Sequence, residues 1–276
     1  MAAAQRQDTD DALPEGLAQA LRATARDIAA LLRTATETSV DVPGSEWTVG
    51  AAAAHLAHAN ELMTDLARGR ERPYGDGTPQ SLAAANERVL AAFGERRAEP
   101  LAAMIVEQTD LFLDAVARAV ADGDADRTLV TPLGPMSRPV LASYLLTHML
   151  GHGYDLARAL GRPHMIDRPR VELCVPFLMT AMPRVANATA AGLTARYALR
   201  LRGGTAFGAT FDDGAVAVTP GPPDRPDCVI LTEHVTFLLM ALGRRAPWPA
   251  VARGQVLAWG RKPWLAIRFP TLFTAP

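Results

Sequence analysis

Residues 145–161 read LLTHMLGHGYDLARALG. His148 and His152 stand four apart, so on a helix their imidazoles leave the same face about one turn from each other. Two rings so placed can share a metal ion. Asp155, three residues further, can orient His152 through its second ring nitrogen. The zincin pattern is absent, because Met149 sits where its general-base glutamate belongs. Gly151 and Gly153 flank His152, and each costs about 1 kcal/mol relative to alanine inside a helix. A close approach by a neighbouring helix or a ligand is the usual compensation. An H-x₃-H pair does not by itself make a metal site, since a helix crossing without chemistry accounts for the same residues.

Upstream of this segment the chain reads as helices. The segment itself belongs to a predicted helix over Val140–Leu160, stopped by Gly161-Arg162-Pro163. Leu17, Leu21, Ile28, Leu31 and Leu32 recur near helical spacing. Ser45 or Thr48 can cap a second helix over Ala51–Leu66 that ends near Gly69. Gln80–Phe93 and Leu101–Val120 supply two more, and Asp122–Pro139 reads as a loop rich in Gly, Pro and Asp. Helices of this length with short connections predict an antiparallel bundle over residues 12–165.

The period then changes. Pro169–Ala191 is apolar and reads as a mostly helical bridge, within residues 166–192, to a second domain over 166–276. There Tyr197, Leu199 and Leu201 alternate with arginines, as in a half-exposed strand. Ala206–Phe211 can return beside it, and Asp213-Gly214 before Val216 and Val218 is a hairpin signal, because both turn positions favour positive φ. Cys228–Leu231 and Gln255–Trp259 read as strands and His234–Leu242 as a helix. The predicted fold class is therefore α followed by α+β, with an antiparallel sheet in the second part.

Composition narrows the function. Of 276 residues 49% are hydrophobic and 21% charged, as in ordinary globular proteins. The formal net charge of −1 gives no global field for nucleic acid or anionic membrane. Few aromatics and no basic run argue against nucleic-acid binding. Lys262 is the single lysine, so the arginine content looks like a coding bias. Cys174 and Cys228 are too few for a disulfide framework and fit a reducing compartment. With no secretory leader or membrane span visible, the expected location is the cytoplasm.

Four further histidines need a reading. His55 lies among Ala51, Ala52, Ala54 and Ala59, which leave room beside its ring; composition alone favours a buried, hydrogen-bonded histidine. His58 points roughly 60° away on the same helix. His164 falls in a loop and His234 at a helix start, and both read as structural or exposed.

Two segments together resemble a known family. Glu46-Trp47-Thr48-Val49, followed by His55, is similar to the W-T-V…H-L signature of the mycothiol-dependent maleylpyruvate isomerase-like metalloenzymes, whose N-terminal domain is a DinB-type antiparallel four-helix bundle. Residues 145–161 resemble the family's second metal-binding segment, E-x-x-x-H-G-x-D-[IL]-A-x-A-x-G. The resemblance implies His55 and His152 as metal ligands. His148 stands where many relatives carry a glutamate, which leaves a three-histidine site with one more positive charge. A more electrophilic metal lowers the pKa of a bound thiol or water further. The second half, through GRKPWLAIRF, resembles more loosely the sterol-carrier-protein-like domain fused to such bundles.

The resemblance implies a divalent metal, zinc by ligand type, held by His55, His148 and His152 with an open fourth position. It implies mycothiol as cosubstrate, with Asp155 assisting, and a small-molecule electrophile that undergoes S-transfer or cis–trans isomerisation. Nucleic acid and membrane are not expected partners, and the oligomeric state is left open. Two alternatives stand beside it: a non-catalytic carrier of a lipid or hydrophobic metabolite, and a metal-dependent hydrolase using bound water.

Overall fold

The computed structural model describes residues 13–70, 72, 74–76, 81–125 and 127–274. It divides between Ile166 and Asp167 into two compact units.

The first unit is helical. Its helices are α1 (Leu17–Arg33), α2 (Val49–Ala67), α3 (Leu82–Ala92), α4 (Ala98–Ala121) and α5 (Arg138–Ala159). The long ones pack pairwise, α1 and α2 each against both α4 and α5. Their apolar stripes meet in a core that includes Leu21, Ile28, Leu56, Ile105, Phe112, Leu145 and Met149, all buried. Polar contacts inside this core fix which faces meet. Asn60 donates from Nδ2 to Thr109 Oγ1 at 3.2 Å, and the Thr64 hydroxyl donates to the Gln108 carbonyl at 3.0 Å. Both join α2 to α4.

Helix ends follow the sequence reading closely. Thr48, not Ser45, caps α2, accepting from Ala51 N at 3.3 Å, while Ser45 Oγ accepts from Trp47 N. The expected start of α3 at Gln80 lies outside the described residues. One expectation for this unit fails: the predicted loop 122–139 contains a hairpin, β1 (Leu129–Thr131) paired with β2 (Gly134–Met136). Strands of three residues are too short to show a period of two.

Gly153 has the close approach its position requires. A Cβ there would lie 2.8 Å from Met165 Sδ and 3.2 Å from Ile28 Cγ1 of α1. A glycine thus lets α5 sit against α1 at the level of His152.

The second unit begins with α6 (Arg168–Ala181), shorter than the predicted bridge, followed by single 3₁₀ turns over Met182–Arg184 and Ala188–Ala190. A five-stranded sheet follows in the order β5-β4-β3-β6-β7, from β3 (Ala195–Leu201), β4 (Ala206–Asp212), β5 (Ala215–Pro220), β6 (Cys228–Thr232) and β7 (Val256–Trp259). Asp213 and Gly214 turn β4 into β5 with φ of 48° and 85°. The helices α7 (His234–Ala241), α8 (Pro247–Ala252) and α9 (Leu265–Arg268) complete the unit.

The sheet is mixed, which corrects the antiparallel expectation. β3 and β6 run parallel, with Tyr197 opposite Cys228 and Leu201 opposite Thr232. Parallel neighbours need a crossover, and here residues 221–227 supply it. Its Pro223 lies so close to β4 that a Cβ on Gly208 would come within 2.9 Å of Pro223 Cδ. Asp227 N then donates to Arg196 O at 2.7 Å, which starts the pairing of β6 with β3.

Candidate metal centre

Two helices place the three histidines. His55 is in the second turn of α2, whose start is pinned by the preceding chain: Val49 N donates to Val40 O and Gly50 N to Thr38 O, both at 2.8 Å. His148 and His152 project one turn apart from α5, which packs on α2. The rings converge, with centroids 5.0 Å apart for His55 and His148, 4.8 Å for His55 and His152, and 4.5 Å for His148 and His152. His55 Nε2 and His148 Nε2 are 3.1 Å apart. One nitrogen from each ring lies within 4.8 Å of the other two, forming a group of possible metal ligands.

This geometry fits a divalent cation. Ligand nitrogens at about 2.0–2.1 Å in a tetrahedral site stand somewhat over 3 Å from one another. The closest pair already has that spacing, and a nitrogen of the third ring lies within 4.8 Å of the other two. The donor chemistry fits as well: imidazole is a ligand only when neutral, and burial lowers the pKa of His55 to about 4, with His58 adding a smaller push in the same direction. His55 therefore needs to lose no proton at neutral pH in order to bind.

The sign of that shift gives a prediction for the metal-free protein. The ring ionises near 6.5 when unfolded and near 4 when folded. Its contribution to stability is full above pH 6.5 and is lost as pH falls through 4. The loss is on the order of 3 kcal/mol in total. Chemical denaturation of apo-protein between pH 7 and pH 4 should show it, and His55→Gln should flatten that part of the profile.

Asp155 is on the next turn of α5, its Oδ2 3.6 Å from His152 Nδ1. That places the carboxylate beside one ring nitrogen of His152 and leaves Nε2 as the other possible ligand atom. His58 does not join the group: its Nδ1 pairs with Glu61 Oε2 at 3.4 Å and its ring lies edge-on to Phe93. His164 is exposed, and His234 is buried in the second unit with Nε2 2.6 Å from Glu172 Oε1.

Two neighbours were not singled out from sequence as parts of the site. Trp47 packs its indole against His55 at 4.8 Å and stacks on His152 at 5.9 Å between centroids. Its backbone is held by Val42 N donating to Trp47 O at 2.9 Å. The signal was present in the W-T-V motif, but where a residue ahead of a helix points depends on its turn. Tyr144, one turn before His148, presents its ring edge-on to His148 at 6.2 Å, and burial raises its hydroxyl pKa.

Residues 4–157 match the family model described as the mycothiol maleylpyruvate isomerase N-terminal domain. The chain belongs to that family. Among solved structures, a histidine-to-alanine mutant of the mycothiol-dependent maleylpyruvate isomerase superposes with a TM-score of 0.52 at 16% identity, over 89% of this chain and 93% of that one. The isomerase without the mutation gives 0.47 at 16% identity over the same shares. The first likeness shows the fold: a helical N-terminal part followed by a part containing a sheet. Comparison with curated proteins returned no match.

Because Trp47 covers two of the three rings, its removal should loosen them. Trp47→Ala is expected to weaken metal binding roughly tenfold, within the range of outer contacts to ligands, and Trp47→Phe much less. Titration with Co²⁺, read by its visible absorption, measures this without any substrate.

Proposed function

We propose that this protein is a mycothiol-dependent metalloenzyme in which His55, His148 and His152 hold one divalent ion, zinc by ligand type, and a small electrophile is the acceptor. The observation that carries the reading is the convergence of those three imidazoles from two helices, in a chain of this family. A metal held there supplies Lewis acidity that keeps a thiol as thiolate at neutral pH.

The chain's own residues do the rest. His55 arrives neutral because it is buried. Asp155 steadies His152 through its Nδ1, and three protein ligands leave a position for a thiol. Trp47 walls one side, against the rings of His55 and His152. Attack of the thiolate on an activated alkene, rotation and expulsion of the thiol would give cis–trans isomerisation; retention of the adduct would give S-transfer. The domain frame of the reading is a DinB-type four-helix bundle with a sterol-carrier-like second domain.

The test is turnover of maleylpyruvate and related activated alkenes by metal-loaded protein, with and without mycothiol. Thiol-dependent turnover supports the reading. Hydrolysis of an ester or amide that proceeds equally without thiol would replace it with the hydrolase alternative.

A second reading has one observation in its favour. The second unit contains an apolar cavity of about 630 Å³, lined by residues such as Phe177, Leu199, Ile230, Phe237 and Phe269. A cavity of this size and lining suits a carrier of a hydrophobic metabolite. Metal-free protein that binds such a molecule and shows no thiol-dependent turnover would favour it.

A further inference from the structure

The net charge of −1 conceals a division. Residues 167–276 carry thirteen basic and seven acidic side chains, and the whole surplus lies in 234–276, which holds Arg244, Arg245, Arg253, Arg261, Lys262 and Arg268 and no acidic residue. The same stretch contains three of the four tryptophans. Among the described residues eight large apolar side chains are exposed, and six of them, Trp248, Val251, Leu257, Trp259, Trp264 and Ile267, fall within 248–267.

These residues are grouped in space as well as in sequence. Trp248 and Val251 of α8, Leu257 of β7 and Ile267 of α9 all line the apolar cavity while remaining exposed, so they form its rim. β7 is an edge strand, so the rim sits at an open margin of the sheet. The cations flank it. Arg253 follows α8 and spends one N–H on Pro249 O, and Arg202 reaches across to Gly254 O; both acceptors are neutral carbonyls. Arg245 likewise bonds the neutral hydroxyl oxygen of Thr236. Among the described residues, the acidic groups seen to contact this stretch are Asp227, paired with Arg261 and Lys262 at 2.7 and 3.4 Å, Glu233, which accepts from Gln255, and Glu172, 2.6 Å from His234. They offset part of the positive charge and leave a clear excess.

We propose that this face, built from α8, β7 and residues 260–268, docks on an anionic lipid bilayer. Tryptophan is the side chain that settles at a membrane–water boundary, its ring in the acyl margin and its N–H in the headgroups. Basic residues around it are attracted to anionic headgroups, and neither signal alone holds a protein at the surface. The arrangement also sets the mouth of the cavity against the lipid, the source of an apolar ligand. No helix among the described residues is long and apolar enough to cross a membrane, so the contact is peripheral. The inference stands apart from the metal centre and does not need it.

The experiment is co-sedimentation of the full chain with vesicles of phosphatidylcholine alone and of equal parts phosphatidylcholine and phosphatidylglycerol. The expected result is binding to the mixed vesicles at low ionic strength, weakening as salt is raised, with a blue shift of tryptophan emission, and no binding to phosphatidylcholine alone. Arg253→Glu with Arg268→Glu should reduce the partition tenfold or more, at about fivefold for each cation removed. Trp248→Ala with Trp264→Ala should abolish most of the blue shift. All four side chains are exposed, and an unchanged thermal transition would show that the variants fold. No binding to mixed vesicles at low salt, or binding that neither pair of substitutions alters, overturns the proposal. Retention on duplex DNA with the same dependence on the arginines, without vesicle binding, also overturns it.

Discussion

His152→Ala is expected to remove the bound metal and the thiol-dependent turnover together. Loss of an outer partner of a ligand commonly costs about 10–100-fold in metal affinity, so loss of a ligand itself must cost more. His152, like His55, touches both of its companions and Trp47, and among the described residues the group of possible ligands holds these three histidines and no carboxylate. Metal content of protein purified without added metal should fall from near one ion per chain to near zero. Turnover should fall to the rate without thiol. The fold should persist, because the side chain lies at the edge of the core and not within it. Asp155→Ala makes the graded comparison: metal should still bind, about 10–100-fold more weakly. Full metal occupancy in His152→Ala would remove this histidine from the ligand set.

The second large effect concerns how α5 is held in place. Arg138, at the start of that helix, is 2% exposed. Its guanidinium donates to the carbonyl of Ala67 at the end of α2 at 3.2 Å, to the carbonyl of Asp124, and to the Asp124 carboxylate at 2.7 Å. One buried cation thus ties together the helix of His55, the helix of His148 and His152, and the loop after α4. Arg138→Met keeps the stem and deletes these donors: the buried Ala67 carbonyl loses its guanidinium partner, and the Asp124 carbonyl keeps only a long bond from Arg127 N at 3.4 Å. Each buried group left without its partner costs about 1–3 kcal/mol. Asp124 is partly exposed and can turn to solvent, so its charge adds little. The expected loss is about 3 kcal/mol, measured by denaturant unfolding, or a fall of roughly 6–12 °C in Tm for a unit of this size. Metal affinity should fall with it, because α2 and α5 lose their shared anchor. A change below 1 kcal/mol would show that water replaces the guanidinium without cost.

Much of this was legible in the sequence because it was periodic. The leucines of α1, the alanine-rich face of α2 and the apolar run of α5 each repeat at helical spacing, and α1 begins at the expected residue. β3 shows most of the predicted alternation, with Tyr197, Leu199 and Leu201 buried and Arg196 and Arg200 exposed, but Ala198, between the arginines on their face, is buried. What stayed hidden depends on partners distant in the chain. The direction of β6 relative to β3 is set by a crossover against Gly208, and no pattern local to Cys228–Thr232 encodes it. The hairpin at Leu129–Met136 is shorter than one full alternation can reveal.

The site divides in the same way. The pairing of His148 with His152 could be read from their spacing, and the close contact at Gly153 from the cost of a glycine in a helix. His55 could not be assigned from composition, which favoured a buried structural ring. Only the W-T-V segment raised it, and the structure brings it 3.1 Å from His148. The charge surplus of 234–276 was invisible in a total of −1, because the helical unit carries the opposite excess.

The most direct measurement is an anomalous-scattering map from crystals of protein purified without chelator. One peak about 2.1 Å from a nitrogen of each of His55, His148 and His152 is the result expected for this centre. A map without a peak there, with the three rings turned apart or apolar side chains filling the space between them, would contradict it.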